Sequence, residues 1–381
     1  MCVNAATEQF MQTNPPCFVL THEGVVSENN WSLQLHLCLC GDSLQVMMMG
    51  VLTHLSALLL FSYLHTALSE VVVKFDPKCK GFFLDEKTPN IPGILLDGTA
   101  QNHYKPICQL FDNIYRYATL YDTANRIPVF SAYTFIGSGS DSIKRPAWKI
   151  EPQLDEEKDP NMALATPGTN YPNQAVKEDY VGAEDTHKVN RGHMFPNEHA
   201  HDIESKNSTF TLTNCVPQAV SSNAFSWCNM EKSVKKILEN NCKDANNKIK
   251  AYVVTGAVPS NSDTLKNRVN IPSYLWSAYC CYNRNLGEWM AKGYWSENVA
   301  EVCGKKRLKP LALTDLYEKL NVIYPGGEVS VFPQQCSSGL QLRLAGEDLD
   351  SDGEDGGRDG HGQEDDECAC PSGRAVEQID N

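Results

Sequence analysis

The sequence has no pair of Cys-x-x-Cys motifs at zinc-ribbon spacing; its closest cysteines form only Cys38-x-Cys40, Cys280-Cys281 and Cys368-x-Cys370. That absence argues against structural zinc as the use of its 15 cysteines. No internal repeat is present, so the chain is not a stacked solenoid. No apolar run is long and uninterrupted enough for a comfortable membrane span. A basic surplus is lacking too, since the net charge is −14, which at first sight excludes a nucleic-acid partner.

The charge is unevenly placed. Residues Glu347 to Asn381 hold 13 Asp/Glu against 2 Lys/Arg, so −11 of the −14 lies there and the rest of the chain carries −3. A nearly neutral body is compatible with a local basic cleft, and an enzyme that must release a polyanionic product needs no strongly basic surface. The acidic segment, 345–381, has almost no large apolar side chains and is expected to be disordered, because it cannot bury enough surface to offset its ordering entropy.

The cysteines are too many for a chain of this size in a reducing compartment and point to disulfides. An apolar run within residues 47–69, Val51 to Leu64, ends in Ala67-Leu68-Ser69, with small residues where signal peptidase reads. Thr53, His54 and Ser56 interrupt it, and the basic residues that usually precede such a run are missing. Residues 1–46 read as an upstream extension, with translation from Met47, Met48 or Met49 giving a conventional secretory signal. The expected product is therefore secreted, with no membrane partner after cleavage.

Across 70–340 the pattern is mixed α+β. Ile127–Ile136, Ser208–Asn214, Lys250–Val258 and Tyr274–Tyr282 are β-rich runs bounded by Gly, Pro or Asn. Ala219–Asn241 carries apolar residues at three- and four-residue spacing and predicts a helix with one buried face. Asn223, Trp227, Glu231 and Lys235 recur on it every fourth residue, one drifting stripe. On spacing alone, a solvated face with a Glu231–Lys235 ion pair is the simpler reading. Four histidines, His187, His193, His199 and His201, match no standard helix-borne zinc spacing.

Three segments taken together change that reading: Asn190-Arg191-Gly192-His193, then Asn214-Cys215-Val216-Pro217-Gln218, then Asn223…Trp227…Glu231. Upstream, Arg126 precedes Tyr133 by seven residues at the end of a β-rich run, and downstream Tyr252–Gly256 and Ile271–Trp276 also fit. In order and spacing, from about Cys79 to Trp295, they resemble the DNA/RNA non-specific endonuclease family, whose fold is the ββα-metal, or His-Me, finger with a central antiparallel sheet flanked by helices.

The resemblance implies phosphodiester hydrolysis in DNA and RNA with Mg2+, Mn2+ being a possible substitute. It makes His193 the general base, Asn223 the direct metal ligand, and Glu231 the holder of metal-bound waters. Arg126 would neutralise charge on the phosphate; Asn214 and Lys235 join it as substrate-binding candidates, and Asn190, Arg191 and Lys235 as further catalytic ones. Lys235 stands where the family has arginine, keeping the charge but losing the bidentate fork. Asn190 stands where the family has aspartate, which keeps one acceptor but drops a charge that would support a protonated His193. The alternative this leaves is a catalytically weakened, nuclease-like interaction module.

Asn207-Ser208-Thr209 is a glycosylation sequon, expected at the surface. Cys79 with Cys108, Cys242 with Cys280 or Cys281, and Cys215 with Cys228 are the expected disulfides. Eleven cysteines follow residue 69, so at least one is free or intermolecular.

Overall fold

The computed structural model describes residues 70–338, except 76, 156–157 and 303, together with Cys368. The proposed extension, signal and most of the acidic segment lie outside the described residues. Six antiparallel strands form the main sheet: β1 (Tyr104–Phe111), β2 (Ile114–Asp122), β3 (Ile127–Phe135), β6 (Ala251–Val258), β7 (Tyr274–Asn283) and β8 (Glu288–Glu297). Their spatial order is β8-β7-β6-β3-β2-β1. A separate antiparallel hairpin, β4 (Val189–His193) with β5 (Cys215–Ala219), pairs His193 with Cys215 and Asn190 with Gln218.

The sheet is covered on both faces, which is why its central strands read as nearly unbroken apolar runs. On one face Tyr133, Phe135, Val253, Leu275 and Cys281 pack with Val216 of the hairpin and with Trp227, Met230, Val234 and Leu238. The last three belong to helix α2 (Cys228–Asn241). On the other face Phe130, Ala132, Val254, Trp276 and Cys280 pack with Phe75, Phe83 and with Leu313, Leu316 and Leu320 of helix α3 (Leu313–Ile323). Gly256 is required where β3, β6 and β7 meet: a Cβ there would lie 2.4 Å from the Trp276 ring and 2.5 Å from the Val129 carbonyl.

Alternation along β7 decides the cystine pairing. Neighbouring strand residues point to opposite faces, and Cys281 faces α2 whereas Cys280 faces α3. Cys242, at the end of α2, accordingly bonds Cys281, and Cys280 bonds Cys336. Cys79–Cys108 forms as expected, tying the start of the domain to β1. The expected Cys215–Cys228 pair does not form: Cys215 lies buried and free in β5, and Cys228, on the first turn of α2, bonds Cys368.

Two segments depart from the sequence-based expectation. Ser208–Asn214 is not a strand; it runs from the end of helix α1 (Ile203–Ser208) into a single tight turn, Leu212–Asn214. Asp202 caps α1 by accepting from Ser205 N at 2.6 Å, and the Thr209 hydroxyl donates to the Lys206 carbonyl at 2.8 Å. Local side-chain bonds of this kind compete with a β ladder. The helix predicted over Ala219–Asn241 starts one residue later, at Val220, because Ala219 still belongs to β5, and its stretch Ser222–Trp227 is a π-helix. Such wide turns are frequent at functional sites, and this one carries Asn223.

Candidate active site

The hairpin and α2 together make a ββα unit, and the family-motif residues lie along it. Gly192 permits the hairpin to close, since a Cβ there would lie 2.0 Å from Gln218 Oε1. His193 follows at the end of β4. Its ring lies 4.9 Å from Trp148 and 4.8 Å, edge-on, from Phe210. Its Nε2 is buried and has no hydrogen-bond partner among the described residues. Burial, then the positive charge of Arg145, pull the His193 pKa down to about 3. The imidazole is therefore neutral at physiological pH, and burial makes it a weaker base than a free histidine.

Asn190 lies three strand residues before His193, a Cα separation of about 10 Å at the usual strand rise. Its Oδ1 accepts from Asn223 Nδ2 at 2.8 Å. That bond fixes the sense of the Asn223 amide and leaves Asn223 Oδ1 available as a ligand oxygen. One turn further along the helix, Trp227 Nε1 donates to Glu231 Oε1 at 3.0 Å. Burial, reinforced by Glu198, pushes the Glu231 carboxyl up to about 8 against that bond. A cation nearby would oppose the shift by stabilising the carboxylate.

These donors fit a hard cation that keeps most of its waters: one oriented amide oxygen and one carboxylate, without soft ligands. Among the described residues no group of three His, Cys, Asp or Glu side chains is placed to hold a metal. The other three histidines have separate partners. His199 spans Tyr133 Oη (2.8 Å from Nδ1) and the Glu231 carbonyl (3.0 Å from Nε2), His201 pairs with Asp202 at 3.0 Å, and His187 bonds Thr186. His199 thus clamps α2 to β3.

The remaining sequence candidates divide. Arg191 lies between two aromatic faces, Trp148 at 5.6 Å and Tyr180 at 5.2 Å, with its Nε buried and unpartnered. Arg126 donates from Nε to the Pro172 carbonyl and from Nη1 to those of Arg268 and Ala124; Nη2 makes none of these bonds. Lys235 is half-buried near enough to His199 to lower its pKa, and it is not ion-paired with Glu231.

Asn214 corrects an expectation. It is 0% exposed, so it cannot touch substrate. Its Oδ1 accepts from Phe195 N and the Ser131 hydroxyl, and its Nδ2 donates to the Phe195 and Thr209 carbonyls. It is the brace that holds the chain just past His193. Asn207 is half-buried on α1 and its carbonyl accepts from Lys149 Nζ, while Ser208 and Thr209 of the sequon are 0% exposed.

Trp148 and Arg145 escaped the sequence reading. They reach His193 from a segment without regular structure, between β3 and Ile150, where no local periodicity signals the contact.

A family model for DNA/RNA non-specific endonuclease matches residues 100–314, more than half of the chain. The chain belongs to that family. It is 31% identical over 198 residues to endonuclease domain-containing 1 protein of Homo sapiens, and 32% identical over 192 residues to that of Mus musculus. Each match covers 48% of this chain and 36% of the relative, so the chain spans about a third of the length of those proteins. A solved structure, titled "Crystal structure of the EndoG/EndoGI complex: Mechanism of EndoG inhibition", is 18% identical with a TM-score of 0.38, covering 55% of this chain and 80% of that one.

Proposed function

We propose that this chain is a secreted, Mg2+-dependent endonuclease that hydrolyses phosphodiester bonds in DNA and RNA without sequence preference. The observation that carries the reading is the Asn223 Nδ2 to Asn190 Oδ1 bond, which fixes the sense of the Asn223 amide against the strand that ends in His193. His193 takes the proton of the attacking water. Asn223 Oδ1 would hold the cation, and Glu231 would hold its waters. A bound divalent cation supplies charge stabilisation on the phosphate and an acidic water for the leaving oxygen. Arg126, through its remaining Nη2, and Arg191 and Lys235 contribute positive charge for the phosphate. Among the described residues four disulfides suit an oxidising compartment, and no helix is long and apolar enough to cross a membrane.

Two observations favour a second reading. His193 Nε2 is covered, and Asn190 stands where the family has aspartate. A catalytically weakened interaction module would keep this architecture. Plasmid and RNA degradation by the purified chain separates the two. The enzyme reading expects Mg2+-dependent cleavage that EDTA stops and His193→Ala removes. Full activity in His193→Ala would overturn the base assignment, and a wild-type protein inert with both Mg2+ and Mn2+ would leave the module.

A further inference from the structure

A second polar cluster lies among the start of the domain, β1, the segment after β3 and the segment that precedes β5. Glu70, Gln109 and Glu151 are each 0% exposed. Glu70 Oε1 accepts from Leu110 N at 3.3 Å. Glu151 Oε1 accepts from the hydroxyls of Thr211 and Thr213, each at 2.8 Å. Gln109 Nε2 donates to Thr119 Oγ1 at 3.1 Å and to Thr213 Oγ1 at 2.9 Å.

Proton accounting fixes the sense of the Gln109 amide. Thr213 has one hydroxyl proton, and it is committed to Glu151. Ser131 gives its proton to Asn214 Oδ1, so Thr119 must give its own to Ser131, 3.0 Å away. Both threonine oxygens can therefore only accept from Gln109, and its Oε1 is turned away from them. Three buried oxygens are left with no donor among the described residues: Glu70 Oε2, Glu151 Oε2 and Gln109 Oε1. The Tyr115 hydroxyl is also buried and unpartnered, and it lies near enough for the Glu70 charge to act on it.

Buried carboxylates must be neutralised or paired. A proton shared between Glu70 and Glu151 would satisfy their two oxygens, and burial followed by the Glu151 charge does hold the Glu70 carboxyl well above its usual range. A shared proton still leaves Gln109 Oε1 without a partner. A hard cation of calcium size takes neutral and charged oxygens alike and tolerates irregular geometry, so a single ion would answer all three, with waters completing its six to eight ligands.

We propose that Glu70 Oε2, Glu151 Oε2 and Gln109 Oε1 form a structural site for a calcium-class divalent cation, separate from the catalytic residues. The cation fastens the first residues of the domain to the sheet, where Glu70 N donates to Gln153 Oε1 and the Glu70 carbonyl accepts from Cys108 N, both at 2.8 Å. Through Thr213 and its neighbour Asn214 it also steadies the segment after His193. The site stands independently of the catalytic reading.

The test uses the full chain carrying Asn223→Ala, which removes the direct ligand of the catalytic metal. This protein is expected to bind one equivalent of Tb3+ with emission excited through Tyr115 and Tyr117, to lose that emission to excess Ca2+, and to melt lower in EDTA than in Ca2+. Adding Glu151→Gln should cut the emission by about tenfold or more and abolish the Ca2+-dependent shift in Tm. Adding Tyr115→Phe should dim the emission while keeping the shift. Asn223→Ala protein that binds no Tb3+ and melts identically in EDTA and Ca2+ overturns the site and leaves a shared proton. Unchanged emission in a folded Glu151→Gln protein overturns it as well. If Glu151→Gln fails to fold, the Asn223→Ala measurements alone decide.

Discussion

Asn223 donates its amide Nδ2 to Asn190 Oδ1 across 2.8 Å, joining the π-turn ahead of α2 to the strand that ends in His193. The family's aspartate at position 190 could accept the same bond, so what asparagine removes is a charge and a second acceptor rather than the orientation of Asn223. Asn190→Asp is expected to raise the rate of plasmid cleavage and lower the Mg2+ concentration needed. Asn190→Ala frees the amide and should weaken Mg2+ by about 10–100-fold, as loss of a group behind a metal ligand typically does. Mg2+ titration of cleavage rates in the three proteins measures both; equal Mg2+ requirements would remove Asn190 from the site.

Trp227 is 1% exposed and its indole nitrogen bonds Glu231 Oε1 at 3.0 Å. Phenylalanine fills much of the space but leaves the partly buried carboxylate without that donor. Trp227→Phe should cost about 1–3 kcal/mol of stability and also raise the Mg2+ requirement. Urea denaturation reads the first and cleavage the second. A stability loss with an unaltered Mg2+ requirement would make Trp227 purely a packing residue.

Disulfide exchange offers a test of the two-faced sheet. Peptide mapping without reduction should recover Cys242 with Cys281 and Cys280 with Cys336, and not the crossed pairs. Cys281→Ser and Cys280→Ser should each destabilise by about 2–5 kcal/mol. Cys215→Ala should leave the disulfide pattern intact, because that thiol is unpaired and buried. A Cys215–Cys228 peptide would contradict this arrangement of β5 and α2.

How far these features could be read beforehand depended on whether their cause was local. β3, β6 and β7 were legible because β-branched and aromatic runs end at turn residues, and both boundaries of β6 came within a residue. The order Arg126, His193, Asn223, Glu231 was legible as a family pattern. The stretch 208–214 was misread because alternating Thr and Phe imitate a half-buried strand, whereas the Thr209 and Thr211 hydroxyls are spent on the Lys206 carbonyl and the distant Glu151 carboxylate. Nothing near Trp148 or Arg145 in sequence announces a contact with His193, and only tertiary packing brings them there. The choice between Cys280 and Cys281 needed the position of α2, which spacing along one strand does not contain.

The clamp made by His199 predicts a response to acid. It is held between Tyr133 Oη and the Glu231 carbonyl, with Lys235 and Glu239 the charged groups nearby. Burial above all, with Lys235 adding to it, lowers its pKa from 6.5 to about 4, against the opposing effects of the Glu231 carbonyl and Glu239. Between those values the unfolded chain takes up a proton that the folded chain refuses, so this residue's contribution to stability falls as the pH drops from 6.5 towards 4, and is unaffected above 6.5. His199→Gln has no such titration. It should be less stable than wild type by about 1–3 kcal/mol at pH 7.5, through weaker bonds to Tyr133 and α2, and the gap should narrow by pH 4.5. His193 has its own lowered pKa, present in both proteins, so it cancels from the comparison. Urea midpoints at the two pH values measure the gap, and one that is constant or widens in acid would show that His199 is not held neutral.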